Sequence, residues 1–117
     1  MKKIIFIFML LVLFIAIPSQ AALYKGQREF SKVCMKCHID GEAFVSSMKK
    51  RTWKKYMKKK GKKLSSVHLK SIKFKEHKKY KKYKKYFTSK KFKKKVRHLK
   101  QFVIEYAKDS GNVPACN

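Results

Sequence analysis

Apolar residues fall along this chain as one unbroken run followed by several periodic stripes. The run occupies 4–17, fourteen residues with no charged or polar side chain, behind Lys2 and Lys3. Beyond it, Phe30, Val33, Cys34 and Cys37 stand at i, i+3, i+4 and i+7. That is one face of a 3.6-residue period and predicts a helix over 24–36. Asp40 and Gly41 mark 39–47 as a loop. Thr52 is placed to cap a second helix, with Trp53, Tyr56, Met57 and Leu64 as its apolar marks. Gly61 is expected to end or weaken that helix. Leu64, Val67, Leu69, Ile72 and Phe74 then form a short apolar patch. Tyr80, Tyr83 and Tyr86 recur every third residue between lysine pairs, close to a helical stripe, and Phe87 extends it. Ser89 is placed to cap a last helix with Phe92, Val96, Leu99, Phe102, Val103 and Tyr106 on one face. Gly111 and Pro114 are its expected stop. No segment alternates as a strand does, so the expected class is all-α.

Length and composition narrow the field further. A chain of 117 residues holds one domain at most and excludes a two-lobed enzyme. With 44% apolar residues it is not disordered by composition. Three cysteines are too few for a disulfide-stapled scaffold. The basic start, the fourteen-residue apolar run and the small residues Ser19 and Ala21 read as a secretory signal peptide over 1–21, cleaved after Ala21. The alternative, an uncleaved anchor, is handicapped by length, since a spanning helix needs about 20 apolar residues. No cysteine stands just after the cleavage point, which argues against a lipid-anchored form. The remaining domain, 22–117, is expected in the periplasm.

Cys34-Met35-Lys36-Cys37-His38 spells C-x-x-C-H, the attachment pattern for haem c. Two thiols one helical turn apart can add to the two vinyl groups on one porphyrin edge. The adjacent imidazole can then bind the iron as proximal ligand. Chance alone gives roughly 0.003 such motifs in a chain of this composition. The export signal agrees independently, because c-type haem is attached outside the cytoplasm in bacteria. Three other uses of the cysteines are weaker. A thioredoxin-like pair needs a βαβ setting, which is not visible. A zinc site needs a second ligand pair. A plain Cys34–Cys37 disulfide leaves His38 without a role.

Gly26, Phe30 and Cys34 follow one another at four-residue steps. With the motif, they resemble the first helix of the small mono-haem c-type cytochromes of the class I fold. The resemblance covers 24–38 and 92–108 and not the middle of the chain. It implies helices wrapped around one covalently bound haem. It also implies a last helix that crosses the first at the small glycine and the aromatic, with Leu99, Phe102, Val103 and Tyr106 as the facing stripe. The implied function is single-electron transfer between partner proteins, with no substrate turned over.

The family's usual sixth ligand is a methionine downstream near Pro or Gly, and the second half of this chain has none. His68, inside the apolar patch and thirty residues after His38, is the first candidate. Met48, ten residues after His38, is the alternative, since ten extended residues reach about 33–36 Å. Met57 is expected in the core, His77 in solvent and His98 beside the helix crossing. Trp53 either donates its indole N–H to a haem propionate or anchors the second helix.

Charge completes the picture. Between 49 and 95 there are 23 Lys and one Arg against Glu76 alone, a charge of +23. Such a field steers the protein toward acidic redox partners or an anionic membrane surface, with a strong salt dependence. Lysines interleaved with tyrosines also fit a nucleic-acid surface, but export argues against that partner. Two readings compete with the electron carrier. One is a haem sensor or peroxidase-like protein with an open distal iron site. The other is a non-haem cationic module for membranes or polyanions. Cys116 is an odd thiol with no assigned role.

Overall fold

The computed structural model describes residues 20–113. The expected signal peptide as far as Ser19, together with Pro114 and Cys116, lies outside the described residues. Among the described residues the elements are six α-helices and one 3₁₀ turn, with no strand. They are α1 (Gln20–Val33), the 3₁₀ turn Cys34–Lys36, α2 (Gly41–Ser46), α3 (Lys50–Lys70), α4 (Ile72–Lys75), α5 (Tyr80–Thr88) and α6 (Lys90–Glu105). None of these helices is long and apolar enough to cross a membrane. α1 runs through the expected cleavage point without a break.

The terminal helices build the frame. α6 buries Phe92, Val96, Leu99, Phe102 and Val103, spaced as one helical face. α1 turns Gly26, Glu29 and Phe30 inward. The two cross at Gly26, where an added Cβ would lie 2.2 Å from the His98 carbonyl oxygen and 2.7 Å from Phe102 Cβ. The crossing is that close because glycine has no side chain to hold the backbones apart. One turn further along α1, Phe30 packs on Phe102, ring centroids 5.5 Å apart. Ser89 starts α6 as expected, its hydroxyl accepting from the Phe92 N–H at 3.1 Å.

Four local expectations are corrected. The loop expected over 39–47 contains α2, which carries Phe44 and buries Val45 against the core. α3 starts at Lys50, and Thr52 lies inside it, its N–H donating to the Lys49 carbonyl. The cap comes from far along the chain: the Asp109 carboxylate accepts from the Lys50 N–H at 2.8 Å. An anion at a helix N-terminus is held by the unpaired N–H groups and the helix dipole. α6 ends at Glu105, six residues before Gly111, because the Tyr106 N–H turns back to the Phe102 and Ile104 carbonyls. The apolar patch over 64–74 is split: Leu64 packs on the core, whereas Val67 and Ile72 are 42% and 73% exposed.

Gly61 acts as expected. Lys58 is extended and Lys59, Lys60 and Gly61 take positive φ, so α3 bends sharply there. The bend presses Gly61 against α6, where an added Cβ would meet Val96 Cγ2 at 2.8 Å. The second half of α3 then carries Leu64 and His68 toward the motif.

Candidate functional site

The 3₁₀ turn places the two cysteines and the histidine at the end of α1. The Cys37 and His38 N–H groups both return to the Cys34 carbonyl, at 3.1 and 2.9 Å. Both thiols are free, Cys34 half-buried and Cys37 exposed. Burial pushes the Cys34 thiol up to about 12, helped by the nearby Glu29 carboxylate and by Cys37.

His38 stacks on Phe44 from α2, ring centroids 3.9 Å apart. Facing it is His68 from the second half of α3, with ring centroids 6.0 Å apart and planes at 88°. His68 Nδ1 lies 2.8 Å from the Leu64 carbonyl. A carbonyl only accepts, so Nδ1 carries a proton, and Nε2 is the nitrogen that offers a lone pair when the ring is neutral. Phe87 stacks on the other side of His68 at 4.7 Å. Burial also lowers the pKa of His38, with His68 adding to the effect, which favours the neutral imidazole that metals bind.

These groups line two joined spaces. The inner one is a narrow apolar slot of about 70 Å³, reached by both cysteines, His38 and His68, with Phe30, Trp53 and Phe92 among its walls. The outer one is an open cleft of about 530 Å³ that shares Cys37, His38, Phe44 and His68 with the slot and adds Met48 and His77. Small-molecule sites hold about 300–1,000 Å³, so the slot alone is too narrow for a porphyrin. The room lies in the cleft.

The donor chemistry fits a covalently tethered haem: two thiols on one turn, an imidazole beside them whose neutral form burial favours, and a second imidazole 6.0 Å away with its Nδ1 on a carbonyl. Cys34 and Cys37 would hold such a group covalently and His38, with His68 6.0 Å away, would bind its iron, which would supply one-electron exchange. Among the described residues, no group of three or more His, Cys, Asp or Glu could by itself hold a metal ion. Met48 lines the outer cleft, and its carbonyl accepts from the Lys108 N–H at 3.0 Å. Met57 is in the core as expected. His77 is half-buried rather than solvated, its Nδ1 accepting from the Lys79 N–H at 3.1 Å and its ring beside Tyr83. His98 sits at the helix crossing with a buried Nδ1 that has no hydrogen-bond partner among the described residues.

Trp53 takes the anchoring role. Its indole N–H donates to the Val45 carbonyl at 2.9 Å in the core, so it is not directed at a propionate. Tyr83, read from sequence only as part of the lysine–tyrosine repeat, is buried and lines the slot with Cys37, and burial raises the pKa of its phenol.

The sequence reading missed Glu29. It is 5% exposed, accepts from the Tyr86 hydroxyl at 2.7 Å and pairs with Lys95 at 2.6 Å. The carboxylate and burial together hold the Tyr86 phenol well above its usual range. The available signal was position: Glu29 shares the inward face of α1 with Gly26 and Phe30.

No known protein family, curated protein or solved structure matches this chain.

Proposed function

We propose that this protein is an exported c-type cytochrome that carries single electrons between partner proteins through one covalently attached haem. The observation that carries the reading is the approach of His38 and His68, ring centroids 6.0 Å apart, beside a slot lined by both motif thiols and next to the open cleft that shares Cys37 with it. Cys34 and Cys37 would hold the haem as thioethers and His38 would be the proximal ligand. His68 is favoured over Met48 as the distal ligand, because its Nδ1 is already committed to the Leu64 carbonyl. When bound, the haem supplies one-electron exchange at iron.

The chain's own contribution is orientation, exclusion of water and charge. The Leu64 carbonyl and the Phe87 ring fix the His68 imidazole. Phe30, Phe92 and Trp53 keep the inner wall apolar, which raises the weight of every nearby charge. The buried Glu29 near Cys34 is held by Lys95 and Tyr86, so its charge is balanced within the fold. The lysine-rich surface supplies long-range attraction for an acidic partner in the periplasm, and it weakens as salt rises.

A pyridine haemochrome spectrum and an intact mass of the exported protein test the reading. The expected result is a covalent haem band and the mass of one haem added to the chain after Ala21. A colourless product of bare polypeptide mass, from cells with working maturation machinery, sinks it. His68→Ala is expected to keep the covalent haem and turn a low-spin ferric spectrum high-spin, whereas Met48→Ala leaves it low-spin. The reverse pattern transfers the distal role to Met48. A high-spin ferric form in the unaltered protein would favour the sensor or peroxidase-like reading instead.

A further inference from the structure

A second cavity lies away from the motif, between α1, the bend in α3 and the first half of α6. Its volume is about 970 Å³, and eleven of its fifteen lining residues are Lys or Arg. Lys58, Lys59 and Lys60 line it together with Lys93 and Lys94, and Arg28 and Arg97 join them. The single acid in the lining is Glu29, already paired with Lys95 and Tyr86.

Two costs coincide there. Like charges from three elements converge on one concavity, which is unfavourable without anions. Lys59 and Lys60 also adopt left-handed φ of 50° and 54°, a conformation that L side chains rarely take. Gly61, packed on Val96, pins the bend against α6, so the lysines cannot swing away with the backbone. Backbone strain persists where the surrounding structure imposes it and clusters where ligands are held.

We propose that this cleft is a binding site for a linear phosphate polymer. Eleven cationic groups in one concavity favour a single ligand with many closely spaced charges, because binding it releases many small counterions at once. The lining is concave, which suits a chain better than a flat bilayer. It contains no Phe, Tyr or Trp, and His98 is its single imidazole, so it offers no run of rings for successive stacked bases. Lysine ammonium groups act as point charges for phosphate and need no fixed geometry from the ligand. The site does not depend on haem, and its test stands apart from that of the electron carrier.

Titration of the purified full-length protein with linear inorganic polyphosphate, over about 0.05–0.3 M salt, tests the proposal. Affinity is expected to fall linearly on logarithmic axes. Lys59→Glu with Lys94→Glu is expected to weaken binding about tenfold or more, while Lys81→Glu with Lys84→Glu, equal in charge and outside the cleft, weakens it less than about threefold. Lys59→Gln with Lys94→Gln provides a milder pair, with helicity checked by circular dichroism. Backbone amide signals of 58–61 and 93–97 are expected to shift first. Equal losses from the two charge-reversal pairs, or first shifts in α5, overturn the site. Tighter binding to an oligothymidylate of equal charge, or to phosphatidylserine vesicles, overturns the choice of ligand.

Discussion

Replacing Gly26 by alanine tests the packing of the whole frame. The new methyl group would meet the His98 carbonyl oxygen at 2.2 Å and the Phe102 Cβ at 2.7 Å. Both neighbours belong to or adjoin the α6 backbone, so neither can rotate aside, and the two helices must separate. Overpacking a close contact costs about 3 kcal/mol at the upper end of its usual range. Alanine returns about 1 kcal/mol through its better helix propensity. The net loss is about 2 kcal/mol, and each kcal/mol moves the midpoint by about 4–8 °C in a domain of this size. Thermal unfolding followed by circular dichroism at 222 nm is therefore expected to show Tm lowered by about 8–16 °C. An unchanged or raised Tm would mean that propensity outweighs the clash and that α1 and α6 do not meet at Gly26.

Tyr86→Phe removes a hydrogen bond to a buried carboxylate and should cost about 1.5–3 kcal/mol in a denaturant titration. A loss below about 0.5 kcal/mol would show that Glu29 is not held there. Trp53→Phe leaves the Val45 carbonyl without its donor, for about 1–3 kcal/mol of stability, and should leave the absorption bands of the proposed haem unmoved. A shifted band would restore the propionate role. The alkaline limb of stability gives a further check. With free thiols, the unfolded chain loses the Cys34 proton near pH 9 while the folded chain keeps it to about 12. Stability contributed by Cys34 is thus complete below pH 9 and lost as pH rises toward 12. The raised Tyr86 pKa adds a loss that begins near its ordinary value of 10. Converting Cys34 to a thioether removes its part, so tethered and untethered protein should diverge above pH 9 in stability measurements. Parallel curves would contradict the buried placement of this thiol.

Periodicity was enough to read the all-α class, the inward faces of α1 and α6, the Ser89 cap and the break at Gly61. Each depends on residues within a few positions of one another, where helical geometry itself dictates who faces whom. The motif at Cys34, Cys37 and His38 was legible for the same reason, since its three groups share one turn. Contacts between distant segments were not legible. The Asp109 carboxylate caps a helix 59 residues away, displacing Thr52 from that role. Glu29 finds Tyr86 and Lys95 only when three helices close around it. The choice between the two partners weighed for Trp53 fell to α2, whose Val45 carbonyl lay in a segment that Asp40 and Gly41 had marked as loop. His68 could be proposed from its apolar neighbours, but its placement opposite His38 depends on the sharp bend at 58–61 that turns the second half of α3 toward the motif. The local alphabet thus determined which groups are available, and chain closure decided which of them meet, because burial and hydrogen bonding are settled by neighbours in space.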